Sequence, residues 1–293
     1  MSKWVGNFWD GKKLESFTKF DIHEFIHEHL TNRGASLKLK KDVLRRVARV
    51  FELAVEEGIL NKNPTTGLKV TVPQREQPVL TAGEVEKLLS AARALSHPFY
   101  SHWALALLTG MRNGELYALR WSQVDIEKGV IAVTKQFTSR DGLHNPKRGK
   151  HRLVDINNSL KSFLLNLRSK GAFREKLWER DHTTKEKLPL EFDDLVLPRV
   201  RAWRLGQQAG ELRAFCKQIG VTSVKFHDLR ATYITNLLTN GASLNRVMSL
   251  VGHKRLSTTD RYNRLAGVDI KGASSNLGYE IPDDPINKVI RLA

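Results

Sequence analysis

The chain has 293 residues, 41% of them hydrophobic, enough for a sizeable core and two domains, and its 48 Lys+Arg against 31 Asp+Glu leave a formal charge of +17. That balance points to a polyanionic partner, nucleic acid first, with a merely soluble basic protein as the plain alternative. The single cysteine, Cys216, excludes an internal disulfide and a cysteine zinc cluster and suits the cytoplasm, and neither a roughly 20-residue membrane run nor a signal peptide's apolar core is present.

In chain order, Asp21 to Leu30 reads as a helix ended near Gly34. Val43, Leu44, Val47, Val50, Phe51, Ala54 and Val55 recur at helical spacing, and the same helix carries Lys41, Arg45, Arg46 and Arg49. Those cations are either an ordinary solvated face or a stripe that tracks DNA phosphates. Prolines bracket a polar run at 73–79, which divides the chain. Residues 1–72 hold 13 Lys+Arg against 9 Asp+Glu, so both parts are basic. Thr81 and Glu84 have capping-box spacing, and an apolar helix is expected over Trp103 to Leu119. Val130–Thr134 and Arg152–Ile156 alternate like strands joined across Asp141-Gly142 and a basic stretch. The helical pattern then resumes to about residue 252. The expectation is a mainly α (α+β) chain, a small antiparallel sheet set into a mostly helical second domain.

Five places carry candidate chemistry. In 109-TGMRNGELYALRW-121, Arg112 and Glu115 lie one helical turn apart; a surface ion pair is the dull explanation. Lys147 lies on the turn leading into the second strand, where a lysine is usually just solvated, and Lys150 competes for any role there. In 226-FHDLRATYITNLL-238, His227 and Arg230 share a helix face, against the plain reading of a capping His and a surface Arg. Gly252 ends a helix from about Ser243 and sets His253 just beyond it. Nine residues on, Tyr262 is flanked by Arg261, Asn263 and Arg264, which reads as surface. Together these cations, histidines and one phenol are equipment for attacking a phosphodiester without a metal.

The order Arg, Lys, His-x-x-Arg, Gly-His, Tyr closely resembles the tyrosine recombinase and integrase family of phages and integrative elements. The segments 109-TGMRNGEL-116, Lys147 before Arg152, 227-HDLR-230 and His253 followed by Tyr262 carry the resemblance over most of 79–265, with 21–70 similar to the family's helical core-binding domain. Ala231 and Val251 depart from commoner residues. The resemblance implies a core-binding domain at 1–72, a linker at 73–79, a catalytic domain at 80–270 and a tail at 271–293, whose last residues, 286–293, read either as a short amphipathic helix that packs on a neighbouring protomer or as a frayed terminus. It leaves these residues no room for the arm-binding domain of some members, so the N-terminal boundary is open to truncation. The implied partners are double-stranded DNA attachment sites, three further copies in a homo-tetramer, and DNA-bending and directionality factors, with no membrane, cofactor or metal.

The chemistry can be argued beside the resemblance. Attack on a phosphodiester spreads negative charge over the non-bridging oxygens, so Arg112 and Arg230 would clamp the phosphate through planar forks and His253 would add a bond. Tyr262 would be the nucleophile, His227 would accept its proton or order the phosphate, and Lys147 would protonate the leaving 5′ oxygen. Glu115 would orient Arg112. A type IB topoisomerase and a non-catalytic helix-turn-helix regulator are the rivals; the second makes no use of Arg112, Lys147 or His227 with Arg230.

Overall fold

Thr18 opens the first helix: its hydroxyl accepts from the Asp21 amide while the Asp21 carboxylate accepts from the Thr18 amide, which satisfies two N–H groups left over at a helix start. This helix, α1, runs as Lys19–Glu24, widens to a π-type stretch at Phe25–His29 and closes as Leu30–Asn32. The computed structural model describes residues 8–73, 77–146, 151–181, 183–184, 186–252 and 262. The chain divides into two units, 1–76 and 77–293.

In the first unit, α2 (Leu37–Glu56) is capped by the Ser36 hydroxyl and lays Val43, Leu44, Val47 and Phe51 against Ile22, Phe25, Ile26 and Leu30 of α1. The Trp9 ring lies 4.2 Å from that of Phe25 and closes the core. Val50, expected on the inward face, is 48% exposed. Each residue advances about 100° around a helix, so it falls outside the stripe that 43, 47 and 51 define.

The second unit begins with α3 (Ala82–Ala94), where Thr81 and Glu84 form the expected capping box. Glu84 also accepts from the amide and hydroxyl of Thr222, both at 2.7 Å, and so joins this helix start to a distant loop. The apolar helix foreseen over Trp103 to Leu119 is two helices. α4 (Tyr100–Thr109) ends at Gly110, which takes a left-handed conformation with φ of 61°, and α5 (Asn113–Tyr117) starts after Arg112. The break falls in the polar run 109–115, where Gly110 is the stop.

The expected strand pair forms. β1 (Val124–Asp125), β2 (Val130–Val133) and β5 (Arg152–Asp155) make an antiparallel sheet in the order β1-β2-β5, with Ile131 opposite Val154. The Asp141-Gly142 turn, however, belongs to a separate hairpin of β3 (Gln136–Thr138) and β4 (Gly142–His144). After α6 (Asn158–Arg168) comes a long hairpin, β6 (Phe173–Arg180) and β7 (Lys187–Leu195), where helix was expected. It joins β3 and β4 in a second sheet, in which β4 and β6 run parallel. Its strands are largely charged, and Trp178 lies beneath Arg180 and Lys187 cations, so the period-2 signal of an apolar face is weak.

The remaining helices are α7 (Arg201–Arg204), α8 (Gln208–Ile219), α9 (Phe226–Thr239) and α10 (Leu244–Val251). α9 is the axis of the unit, burying Leu229, Ala231, Ile234 and Leu238. Ser243 caps α10 and Gly252 ends it with φ of 68°, as the sequence suggests. Among the described residues no helix is long and apolar enough to cross a membrane.

Candidate active site

The break at Gly110 is what turns Arg112 outward. A Cβ at Gly110 would lie 2.3 Å from the Tyr233 ring, so only glycine permits both the left-handed turn and this close approach. The chain then runs extended through Arg112, with φ of −72° and ψ of 152°, before α5 begins. Gly114 passes equally close to β3, where an added Cβ would meet the Phe137 carbonyl oxygen at 2.6 Å. The side chain of Arg112 stays 38% exposed while that of Glu115 is fully buried.

Glu115 is the hub. Its carboxylate accepts from the Arg112 amide at 2.7 Å and from Arg112 Nη1 at 2.9 Å. It also accepts two parallel bonds from Arg152, at 2.8 and 2.7 Å. Burial alone would raise its pKa, but the hydrogen bonds and charge of Arg152, then the charge of Arg112, overcome that and hold it at about 2. The expected orienting role of Glu115 toward Arg112 fits this geometry.

Arg230, in the second turn of α9, is 3% exposed. Its Nη1 donates to the Gly110 carbonyl at 2.6 Å and its Nη2 to the Val251 carbonyl. Burial first, and the Arg112 charge second, depress its pKa, yet a guanidinium remains charged at neutral pH. One arginine thus joins the turn before Arg112 to the last residue of α10. His227 lies one turn earlier on the same helix and is exposed. Asp228 caps α9 through the Lys225 amide at 2.8 Å and accepts from Gln77 Nε2 at 2.9 Å.

Tyr262 corrects the sequence expectation of a surface residue. It is 2% exposed, with its ring among Ala231, Ile234, Leu238, Val247 and Val251. Its hydroxyl donates to Gln77 Oε1 at 3.3 Å, and its charge, when ionised, is felt at Arg230. The backbone at Tyr262 is helical, and on a helix the polarity of a residue's sequence neighbours says little about its own face.

Arg112, Glu115, Arg230 and Tyr262 therefore come together, with His227 at the rim. Lys147, the competing Lys150 and His253 lie outside the described residues. On α2, Arg45 pairs with Asp42, and Arg49 pairs with Glu52 and Glu56, so two of the four proposed phosphate contacts are engaged within their own helix. Lys41 and Arg46 are exposed and make no ion pair among the described residues. Sequence reasoning missed Arg152 and Gln77. The first was findable, since Arg152 and Val154 occupy alternate positions of β5 and so share its inward face. Gln77 had no signal, being one polar residue within the linker run 73–79.

Comparison with known proteins adds the context. The chain matches the phage integrase family over residues 78–267. It is 28% identical over 266 residues to the tyrosine recombinase XerC-like protein of Caldanaerobacter subterraneus subsp. tengcongensis, covering 85% of this chain and 67% of that one. It is 25% identical to the ICEBs1 integrase of Bacillus subtilis, over 90% of this chain and 72% of the relative. The fold resembles that of the Tn1549 transposon integrase solved with circular intermediate DNA, with a TM-score of 0.70, 19% identity and coverage of 91% and 87% of the two chains.

Proposed function

This chain belongs to the phage integrase family, as a tyrosine recombinase that cuts and rejoins DNA, and from that premise we propose which residues do the work and on what. The substrate is a pair of double-stranded attachment sites in the cytoplasm. Tyr262 attacks a phosphodiester, giving a 3′-phosphotyrosine bond and a free 5′ hydroxyl. Arg112 and Arg230 hold the non-bridging oxygens, where two guanidinium forks match the charge that grows in the transition state. His253 adds a donor, His227 accepts the tyrosine proton or orders the phosphate, and Lys147 protonates the departing 5′ oxygen.

The observation that carries this reading is the half-exposed Arg112 held on the buried Glu115, next to the buried Arg230 and Tyr262. A surface ion pair has no need of a buried carboxylate hub. Because the phosphotyrosine is itself a diester, rejoining needs no ATP. Exchange between two duplexes takes one cut in each of four strands, so four copies act together as a homo-tetramer. DNA-bending and directionality factors would set which sites meet. In the resting protein Tyr262 is packed away, so DNA binding must bring its hydroxyl to the phosphate.

The test is a duplex nicked next to a candidate crossover, which traps the covalent adduct by losing the leaving strand. Wild type gives a protein–DNA adduct on a denaturing gel in the presence of EDTA, and Tyr262→Phe binds the same DNA but gives none. An adduct that persists in Tyr262→Phe would remove Tyr262 as the nucleophile. Exchange between two labelled duplexes separates recombination from simple relaxation.

A further inference from the structure

Arg152 belongs to none of the roles above, yet among the described residues it is the one side chain that bonds both Glu115 and α10. Its two terminal nitrogens take the two oxygens of Glu115, and its Nε donates to the Leu250 carbonyl at 3.0 Å. The end of α10 lies against its stem: a Cβ at Gly252 would lie 3.2 Å from Arg152 Cδ, with φ there of 68°. Its side chain is 9% exposed against 38% for Arg112, so Arg112 faces a ligand and Arg152 faces the protein.

We propose that Arg152 is a positioning residue for DNA cleavage, fixing the carboxylate that aims Arg112 and, through the same guanidinium, the end of α10 that leads to His253. The inference rests on the reading of Arg112 as a phosphate clamp. Its physical basis is the planar fork. Three of the five N–H donors of one rigid group are committed to two elements, β5 carrying the group and α5 and α10 receiving it. Glu115 cannot rotate without breaking both parallel bonds, so the guanidinium of Arg112 inherits a fixed plane. A lysine keeps the charge but presents no fork, and could not hold both carboxylate oxygens and the Leu250 carbonyl in one geometry.

The experiment measures adduct formation at saturating nicked duplex, DNA affinity and thermal midpoint in the full chain. Arg152→Met is expected to slow adduct formation about 10²-fold, the scale of a misplacement near 1 Å, while Kd stays within about three-fold. Arg152→Lys recovers part of the rate. Because Arg152→Met strands a buried carboxylate and can fail to fold, Glu115→Gln/Arg152→Met is made beside it; it regains the thermal midpoint and remains slow. If the stable double variant cleaves within about three-fold of wild type, or if Arg152→Met loses only affinity and reaches the wild-type rate at saturation, Arg152 merely balances charge and the proposal is overturned. Arg112→Ala and Tyr262→Phe run in parallel. Wild-type adduct formation in both would overturn the reading of the site, and this inference with it, whereas their loss beside an active Arg152→Met overturns the inference alone.

Discussion

Glu115 is ionised inside the protein, and this couples stability to pH. Its pKa falls from an ordinary 4.5 to about 2, after the arginine partners outweigh the burial that would raise it. A carboxylate depressed in this way stabilises the fold fully above its unfolded pKa, and that contribution is lost as pH falls from about 5 toward 2. The shift corresponds to about 3 kcal/mol. The stability gap between wild type and Glu115→Gln, from urea unfolding at a series of pH values, should therefore narrow across that window. A gap that stays constant between pH 5 and 3 would mean that Glu115 keeps its partners without needing its charge. Glu84, also held at about 2, titrates over the same range in both proteins and cancels from the comparison.

Among the elements, the turn between α4 and α5 is the one the site depends on. Gly110→Ala faces two costs, a left-handed backbone and a Tyr233 ring carbon at 2.3 Å, whereas Gly241→Ala, with φ of 82° and nothing within 4 Å, faces only the first. We expect Gly241→Ala to lose about 1 kcal/mol and Gly110→Ala at least twice that in urea unfolding, with adduct formation reduced as well because Arg112 moves. Equal losses would show that Tyr233 gives way freely. The same turn shows what the sequence carried. The TGMRNGEL segment marked the site because its glycines are forced by contacts, and Ser243 to Gly252 was legible as a helix because cap and stop are local chemistry. The helix break at Gly110 was legible too, as a glycine opening the polar run 109–115, although the expected helix ran through it. The β6–β7 hairpin escaped because its alternation runs through charged residues stacked on Trp178. Tyr262 was misplaced because the polarity of sequence neighbours such as Arg261 and Arg264 does not fix the face of a helical residue. Arg152 was visible as a strand residue only, its three bonds being made to segments 37 and 98 residues away.

For the whole molecule, a charge of +17 means that DNA affinity should fall steeply with salt, as counterions released by each neutralised phosphate are recaptured. Lys41 and Arg46, which hold no intrahelical partner, should each contribute about one unit to the slope of log affinity on log salt when replaced by alanine, and Arg45 and Arg49 less. Slopes unchanged from wild type in all four variants would take α2 off the DNA. The arrangement around Glu115 has a wider consequence. Arg112 and Arg152 both pair with that carboxylate, and the buried Arg230 feels the same charges: burial first, and the repulsion of Arg112 second, depress its charged form. The resting site is electrostatically frustrated, and an anion completes it. Sulfate at matched ionic strength should raise the thermal midpoint above chloride in wild type, and by less in Arg112→Ala, which corrects for the general salting effect. A scissile phosphate and a phosphotyrosine present the same singly charged diester to that surplus, so the cations favour neither side of the reaction. The site is a symmetric valve, and any preference for joining over cutting has to be imposed on it by the geometry of the DNA it is given.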